Sequence, residues 1–311
     1  MQYIGELISL VVSVLWTISA LASEVGSKHL GVYVLNVWRL GLSLLFAGLL
    51  LWATMGAPSP VYAGGEAWTW LLLSGVVGYF FGDYCLFSSY LVIGSRFGML
   101  FMTLAPMFTA FFAWLMLGQQ LSWKALLAMV VTLSGIAITV FHRGGGHKVS
   151  LSLPLKGVLF GLGAALGQGA GLVMSMIGLN HYRADVPSDM LPQMETWLPF
   201  AANMIRCLAG TLCFTACLLW RGEMHLMAES CHDHKGLLAM LCAVFVGPFF
   251  GVSLSLMAVQ YTAAGIASTL MALTPIMILL PSKWLFHQPI TWKAVAGAVI
   301  SCVGVSLFFL L

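Results

Sequence analysis

The sequence predicts an all-α polytopic membrane protein with ten transmembrane helices, arranged as two inverted repeats of five helices. Three observations lead to this fold class: the composition, a series of long apolar segments and an internal duplication. Of the 311 residues, 60% are hydrophobic and only 7% are charged. Soluble domains carry about 25% charged residues, so lipid must surround most of this surface. This composition excludes soluble enzymes, nucleic-acid-binding proteins and disordered proteins.

A helix that crosses the bilayer needs about 20 mostly apolar residues. The apolar runs of this chain are continuous rather than alternating, which indicates helices rather than a β-barrel. The first run lacks a basic flank and a cleavage site of small residues, so we predict a retained span rather than a signal peptide. The ten predicted spans lie near residues 5–23, 32–52, 67–88, 97–117, 124–141, 155–179, 197–220, 236–258, 264–286 and 293–311.

The chain also repeats itself at a constant spacing. The segment Gly78–Gly82 returns as Gly247–Gly251, 169 positions later, and Leu104–Pro106 returns at the same spacing as Leu273–Pro275. Each half therefore holds five helices, and an odd number places the second half upside down in the membrane. Inverted repeats are common in secondary transporters, which bind substrate near the midplane between the halves. The predicted units are a first repeat at 1–141, a basic connector at 142–154 and a second repeat at 155–311.

Four short motifs occur once in each half. In the first half they read Gly78–Gly82, Leu104–Pro106, Gln119–Leu121 and Trp123–Gly135, and in the second Gly247–Gly251, Leu273–Pro275, Gln288–Ile290 and Trp292–Gly304. Over nearly the whole chain this pattern resembles the EamA-like proteins of the drug/metabolite transporter superfamily. The resemblance implies ten helices, export of small metabolites and a central cavity lined mainly by helices 1, 3, 4, 6, 8 and 9. The family usually has Glu where this chain has Gln119 and Gln288, so only a hydrogen-bonding role of those turns carries over.

Asp83 is the sharpest functional candidate, because an ionisable group at membrane depth is costly. It lies on the third predicted helix, and Tyr79 lies one turn earlier on the same face. In one interpretation Asp83 couples transport to protons or balances a cationic group of the substrate. In the other it pairs with Arg39 or Arg96 and joins two helices. Val252 occupies the matching position of the second repeat, so the charge is not duplicated.

Asn36 and Arg39 recur as Asn203 and Arg206, and the spacing of three places each pair on one helix face. Arginine suits the recognition of carboxylates and phosphates, which makes anion binding one interpretation. The other is a structural role, by snorkelling to the interface or by capping a neighbouring helix. We favour the structural role, because these helices lie outside the cavity that the family resemblance implies.

Further candidates lie on the first and third helices of each repeat. Gln168 lies within Gly163–Gly171, where a glycine at every fourth position provides a face for close helix packing. Gln168 itself can hydrogen-bond either a substrate or another helix. Trp16 and Thr17 occupy a comparable place on the first helix. In one interpretation they line the cavity, where an aromatic residue would suit an amphipathic or ring-bearing solute; in the other, Trp16 simply faces the lipid, as tryptophan commonly does. The predicted substrate or coupling residues are Asp83, Tyr79, Trp16, Thr17, Gln168, Gly82 and Gly251.

Pro106 and Pro275 fall inside the fourth and ninth predicted helices. An internal proline removes a backbone hydrogen bond and kinks the helix. Equivalent placement in both repeats fits a hinge for alternating access, and it equally fits a static bend around the cavity.

The sequence indicates no catalytic centre, cofactor or metal site. Cys231–His234 contains residue types that bind metals, but it lacks a recognised ligand spacing and is interpreted as a solvated loop. Seven cysteines without a regular framework argue against disulfide bonds. The three glycines at 144–146 lack the Lys-Ser/Thr of a phosphate-binding loop. We therefore predict that the protein is not an enzyme.

The distribution of Lys and Arg gives a prediction of orientation. Of the 13 Lys and Arg residues, nine lie in loops opposite the termini, Lys124 and Arg183 lie on the same side as the termini, and Arg39 and Arg206 lie inside helices. Because positive loops stay in the cytoplasm, this count favours termini outside, whereas the family resemblance implies termini inside. We expect a multi-pass protein of the plasma (inner) membrane.

The predicted function is a secondary transporter that moves a small organic metabolite outward by alternating access between the repeats. The alternative on the same scaffold is a flippase for a lipid or a lipid-linked carrier. The expected partners are a small-molecule solute and the lipid bilayer, with protons as the candidate coupling ion. No nucleic acid is expected, and the sequence leaves homodimer formation open.

Overall fold

The computed structural model describes residues 3–118, 123–143, 149–151, 153–261, 270–271, 273–287 and 290–310. Within these ranges the chain is almost entirely helical, and six helices are long and apolar enough to span a membrane. Four shorter apolar helices accompany them. The expectation of a helical, multi-span chain is confirmed, while the count of ten crossings stays a prediction.

The helices of the two halves follow in chain order. The first half contains α1 (Ile4–Leu30), α2 (Val32–Met55), α3 (Gly65–Ser74), α4 (Tyr84–Met102), α5 (Ala105–Leu117) and α6 (Trp123–Val140). The second half contains α7 (Leu155–Asp185), α8 (Leu191–Met194), α9 (Leu198–Trp220), α10 (His225–Ser230), α11 (His234–Val244), α12 (Phe250–Tyr261), α13 (Thr274–Met277), α14 (Leu279–Phe286) and α15 (Trp292–Leu310). Gln119 and Gln288, the two turn residues of the repeated motifs, lie outside the described residues.

A short ribbon lies in the connector between the halves, where the sequence predicted no strand. Strands β1 (Phe141–Arg143) and β2 (Val149–Leu151) pair antiparallel, with Phe141 opposite Leu151. Three residues are too few for an alternating pattern to stand out in the sequence.

A single glycine separates the third and fourth predicted spans. Gly94 has φ 82° and ψ 158°, outside the helical region, and interrupts α4. Glycine adopts a positive φ without the steric cost that a Cβ would bring. The helix therefore changes direction here without a loop, and Tyr90 before the bend donates a hydrogen bond to the Met99 sulfur after it at 3.2 Å.

Two π-helical segments occupy equivalent places in the halves. The first, Gly75–Asp83, joins α3 to α4, and the second, Phe245–Phe249, joins α11 to α12. The wider π turn shifts the side chains that follow it relative to an α-helix, and such segments are frequent at functional sites. Asp83 ends the first segment, whereas Pro248 lies inside the second.

The packing of the helices is reciprocal between the halves. The first helix of one half, α1, packs against α11 and α12, and the first helix of the other half, α7, packs against α3, the first π segment and α4. The second helices, α2 and α9, pack against each other, and so do the last helices, α6 and α15. The first and third helices of opposite halves therefore form the two main contacts that join the halves.

Small residues bring α6 and α15 into close contact. A Cβ atom added to Gly135 would lie 2.5 Å from the Ser301 backbone nitrogen, and one added to Gly304 would lie 2.5 Å from the Thr132 backbone nitrogen. Ser301 Oγ also donates to the Thr132 carbonyl at 3.3 Å. Because the partner number falls as the α6 number rises, these two helices run antiparallel.

Candidate functional site

Polar side chains from four helices meet between apolar surfaces. They come from α2, the first π segment, α7 and α9, and we call them the polar cluster. Its members are Asn36, Arg39, Tyr79, Asp83, Gln168, Asn203 and Arg206. Both the first and the second half of the chain contribute to it.

Asp83 lies at the centre of one end of the cluster and is only 4% exposed. Arg39 of α2 forms an ion pair with one of its carboxylate oxygens. The Gln168 side-chain nitrogen donates to the other oxygen at 2.7 Å and to the Gly78 carbonyl at 3.3 Å. Of the two candidate partners, the structure thus places Arg39 against Asp83. Arg96 lies instead beside the Phe97 ring, 4.4 Å from its centroid.

Arg39 is held in place from within its own helix. The Asn36 side-chain oxygen Oδ1 accepts from the Arg39 Nε at 3.3 Å and from its terminal nitrogen at 3.2 Å. Asn36 donates in turn to the Val32 carbonyl at 2.9 Å. The guanidinium also lies over the Phe87 ring, 4.8 Å from the centroid. The spacing of three between Asn and Arg therefore orients the arginine toward Asp83.

The other end of the cluster lies between the π segment and α9. The Tyr79 hydroxyl donates to the Asn203 side-chain oxygen. The Arg206 guanidinium lies over the Tyr79 ring, 4.6 Å from its centroid. The Arg206 Nε is buried and has no hydrogen-bond partner among the described residues. The duplicated Asn-Arg pair is thus used differently in the two halves, since Arg39 has a carboxylate partner and Arg206 stacks on an aromatic ring.

Comparison with known protein families shows to which family the chain belongs. The EamA-like transporter family matches residues 3–141 and again residues 155–310. The chain belongs to the EamA-like transporter family. This confirms the resemblance that the duplicated motifs predicted, within the drug/metabolite transporter superfamily. The protein is accordingly an integral, multi-pass membrane protein of a family of transporters.

Solved structures support the fold of this EamA-like protein. Fifteen solved chains match it. One crystal structure, described only as that of a protein, superposes with a TM-score of 0.59 over 99% of this chain and 96% of the other, at 16% sequence identity. At this identity the likeness concerns the fold alone. No curated protein sequence matches the chain.

Glycines bring α7 of the EamA-like chain against the first π segment. A Cβ on Gly167 would lie 2.8 Å from the Gly82 Cα, and a Cβ on Gly171 would lie 2.7 Å from the Gly78 Cα. A Cβ on Gly82 would lie 3.3 Å from the Gln168 backbone nitrogen. This close approach allows the short Gln168 side chain to reach Asp83.

Trp16 and Gly251 meet at the equivalent contact on the opposite side, between α1 and α12, and Thr17 follows Trp16 in α1. Among the described contacts, none of the three residues joins the polar cluster. A Cβ on Gly251 would lie 3.8 Å from the Trp16 ring, as one on Gly82 would lie close to Gln168. The Thr17 hydroxyl donates to the Ser13 carbonyl within α1 at 2.8 Å. The contact between α7 and the first π segment is therefore polar, whereas the equivalent contact between α1 and α12 contains an aromatic ring.

The two prolines follow equivalent interruptions of their helices. Before Pro106, the Leu104 N–H bonds the Phe101 carbonyl at 3.0 Å, three residues back. Before Pro275, the Leu273 N–H bonds the Leu270 carbonyl at 3.2 Å, also three residues back. Each proline sits near the start of the helix that resumes, where its missing N–H costs nothing.

Glu24 is a buried carboxylate that was not predicted from the sequence. It lies in α1, is 1% exposed, and accepts a hydrogen bond from the Ser95 backbone N–H at 2.6 Å. Lys28, one turn later, pairs with it at 2.5 Å and lies over the Phe286 ring. Glu24 was overlooked because it falls just beyond the first predicted span. Its spacing of four from Lys28 was the available signal.

Asp233, in the loop predicted from the sequence to be solvated, caps α11. Its carboxylate accepts from the Gly236 N–H at 2.9 Å and contacts His29 Nδ1 at 2.8 Å. The hydrogen bond from Gly236, followed by the interaction with His29, lowers the pKa of Asp233. Within the described residues, no three His, Cys, Asp or Glu side chains are grouped to hold a metal ion.

Proposed function

We propose that this EamA-like protein is a secondary transporter that moves a small organic solute by alternating access between two five-helix halves. The polar cluster is the observation that carries the proposal. Gln168 of the second half binds Asp83 of the first, and Asn203 of the second half binds Tyr79 of the first. Any rocking of one half against the other must break and remake these bonds. A solute that competes for them would bias that motion.

The contact between α6 and α15 supports the inverted arrangement. Gly135 faces Ser301 and Gly304 faces Thr132, and these four residues are two pairs of equivalents at the spacing of 169. The same contact therefore occurs twice, once between Gly135 and Ser301 and once between their equivalents in the other repeat, Gly304 and Thr132. Such reciprocal contacts are typical of a two-fold axis. Since the two helices run antiparallel, this axis is perpendicular to them. The proposed repeats are 1–141 and 155–311, joined by the connector at 142–154, with ten crossings in all.

Asp83 is the proposed coupling residue. In its ionised form it holds Arg39, and Gln168 from the other half donates to the same carboxylate. A proton that binds Asp83 removes the negative charge, weakens the pair with Arg39 and changes the link between the halves. Pro106 and Pro275 are the proposed hinges, and Trp16, Thr17 and Gly251 line the opposite contact. The proposed direction is export across the plasma membrane, and one chain supplies every residue of this mechanism.

Flux measurements in liposomes test the proposal. We expect protein-dependent counterflow of at least one member of a panel of poorly permeant solutes: p-aminohippurate, phenyl phosphate, glucose and tetraethylammonium. Gln168→Leu should abolish this flux, because it removes the only described side chain of α7 that binds Asp83. Gln193→Leu, at an exposed glutamine, is the matched control.

Two results would contradict the proposal. One is the absence of flux for every solute from monodisperse, reconstituted protein. The other is equal flux in wild type and Gln168→Leu. Scrambling of a fluorescent phospholipid without solute flux would favour a flippase on the same scaffold.

A further inference from the structure

The α9 end of the polar cluster has hydrogen-bond donors without acceptors. The Tyr79 hydroxyl already occupies the Asn203 side-chain oxygen, and within the described residues the Asn203 amide nitrogen makes no hydrogen bond. Arg206 stacks on the Tyr79 ring, and its buried Nε has no hydrogen-bond partner among the described residues. Arginine and amide nitrogens can only donate. What this end of the cluster lacks is therefore an acceptor.

The charges of the cluster do not balance. Arg39 and Arg206 supply two positive charges, and Asp83 supplies one negative charge, which Arg39 binds. An unbalanced cation among membrane helices is costly unless a partner of opposite charge joins it. One monovalent anion beside Arg206 would make the cluster neutral, whereas a divalent anion would reverse the sign of the excess charge.

The unpaired donors lie on the inner side of α9 and keep part of their surface exposed. At about 100° per residue, Asn203 lies on the side of α9 opposite Leu212, which is 59% exposed on the outward face. Asn203 and Arg206 are nevertheless only half-buried. A solute can contact these two side chains through the surface that stays exposed. The absence of a side chain at Gly78, whose Cβ would lie 3.2 Å from the Arg206 terminal nitrogen, leaves room for the guanidinium.

We propose that the transported solute is a monovalent organic carboxylate and that Arg206 and Asn203 receive its carboxylate group. The guanidinium fork matches the two oxygens of a carboxylate. Around Tyr79 lie Leu40, Cys207 and Phe214, so an apolar or aromatic body suits the solute. This inference rests on the proposed function, since it names the substrate class of the same cluster.

Binding to the wild-type protein gives the first test. The probes are benzoate, its neutral isostere benzamide, the cation benzylammonium and the dianion phenyl phosphate, at equal ionic strength in detergent micelles. We expect benzoate to raise the apparent melting temperature in a saturable manner and the other three to have little effect. No stabilisation by benzoate, or a preference for benzamide, benzylammonium or phenyl phosphate, would overturn the inference.

Variants of Arg206 give the second test. Arg206→Gln should weaken benzoate binding roughly 10- to 100-fold, as expected for the loss of charged hydrogen bonds. Arg183→Gln removes an arginine that is 55% exposed and pairs with Glu195, and it should leave binding unchanged. Arg206→Lys keeps the positive charge but lacks the forked guanidinium, and it should bind benzoate with intermediate affinity. This variant allows the role of Arg206 in binding to be measured if Arg206→Gln does not fold. Equal benzoate binding by wild type and the Arg206 variants would remove Arg206 from the site.

Flux separates this inference from the proposed function. In liposomes we expect p-aminohippurate, a monovalent carboxylate, to move, and this flux to fall in Arg206→Gln. Flux of glucose or tetraethylammonium without p-aminohippurate would retain transport and overturn the assignment of a carboxylate. Absence of flux for all of them would count against both.

Discussion

Replacing Gly135 by alanine tests the close contact between α6 and α15. A Cβ at this position would lie 2.5 Å from the Ser301 backbone nitrogen and 2.7 Å from the Gly297 carbonyl oxygen. Atoms pack best at about 3.5–4.0 Å, so the helices must separate by roughly 1 Å. Both neighbours are backbone atoms and cannot rotate away. Overpacking of this kind costs about 1–3 kcal/mol, and we expect the free energy of unfolding to fall by that amount.

Gly41→Ala is the matched control. It lies in α2, and its added Cβ would meet only the Thr211 methyl group, at 3.9 Å. Because alanine favours the helix over glycine, this variant should be neutral or slightly more stable. Titration of purified protein in mixed micelles with a denaturing detergent measures all variants on one scale.

The reciprocal variant follows from the same contact. A Cβ on Gly304 would lie 2.5 Å from the Thr132 backbone nitrogen, so Gly304→Ala should lose stability by a similar amount. The double variant with Gly135→Ala should lose less than the sum, because the first substitution already separates the helices. Wild-type stability of both single variants would refute the described packing of α6 against α15.

Three further predictions concern single polar contacts. Arg39→Leu leaves Asp83 without its cation and should lower the free energy of unfolding by about 3–5 kcal/mol. The double variant Arg39→Leu/Asp83→Leu should recover most of this loss. Equal losses of stability in the single and double variants, measured by the same titration, would contradict the ion pair. Glu24→Ala leaves the Ser95 N–H without an acceptor and should lower the free energy of unfolding by about 1–3 kcal/mol. Glu24→Gln should lower it less. Similar unfolding curves for wild type and both variants would argue against the contact between Glu24 and Ser95. The lowered pKa of Asp233 means that its contribution is present above its unfolded pKa and is lost as pH falls through its folded pKa. The melting temperature of wild type should therefore drop more than that of Asp233→Asn between pH 6 and about pH 3, and equal drops would refute the capping role.

Motifs repeated at fixed spacing made the family predictable from the sequence. Gly78–Gly82 and its copy at Gly247–Gly251 both fall at π-helical segments, so the repeated glycines marked a real structural equivalence. The π geometry itself was not predictable. Hydrophobic periodicity reports which side of a helix is apolar, and one wider turn shifts that pattern too little to be seen. The break at Gly94 falls in the predicted connection between the spans at 67–88 and 97–117, but apolar content alone could not show that one glycine makes this turn inside an otherwise continuous helix.

The candidate site was predictable in its residue types and less so in its contacts. The sequence placed Tyr79 and Asp83 on one face and Asn203 and Arg206 on another, and the structure brings the two faces together. Spacing along one helix fixes which side chains share a face, but not which neighbouring helix they meet. For this reason the sequence predicted two candidate partners for Asp83, of which Arg39 was one, and it did not predict the contact of Arg206 with Tyr79.

The most direct test of the central claim is the movement of protons that a solute induces. Proteoliposomes containing a pH-sensitive dye report this movement on addition of p-aminohippurate, phenyl phosphate, glucose or tetraethylammonium. The account predicts proton movement with at least one solute in wild type and in the Arg183→Gln control. In folded Asp83→Asn, which cannot exchange a proton at this position, it predicts none. Solute-induced proton movement of equal size in Asp83→Asn, or none in wild type, would contradict the claim that Asp83 couples the two halves to transport.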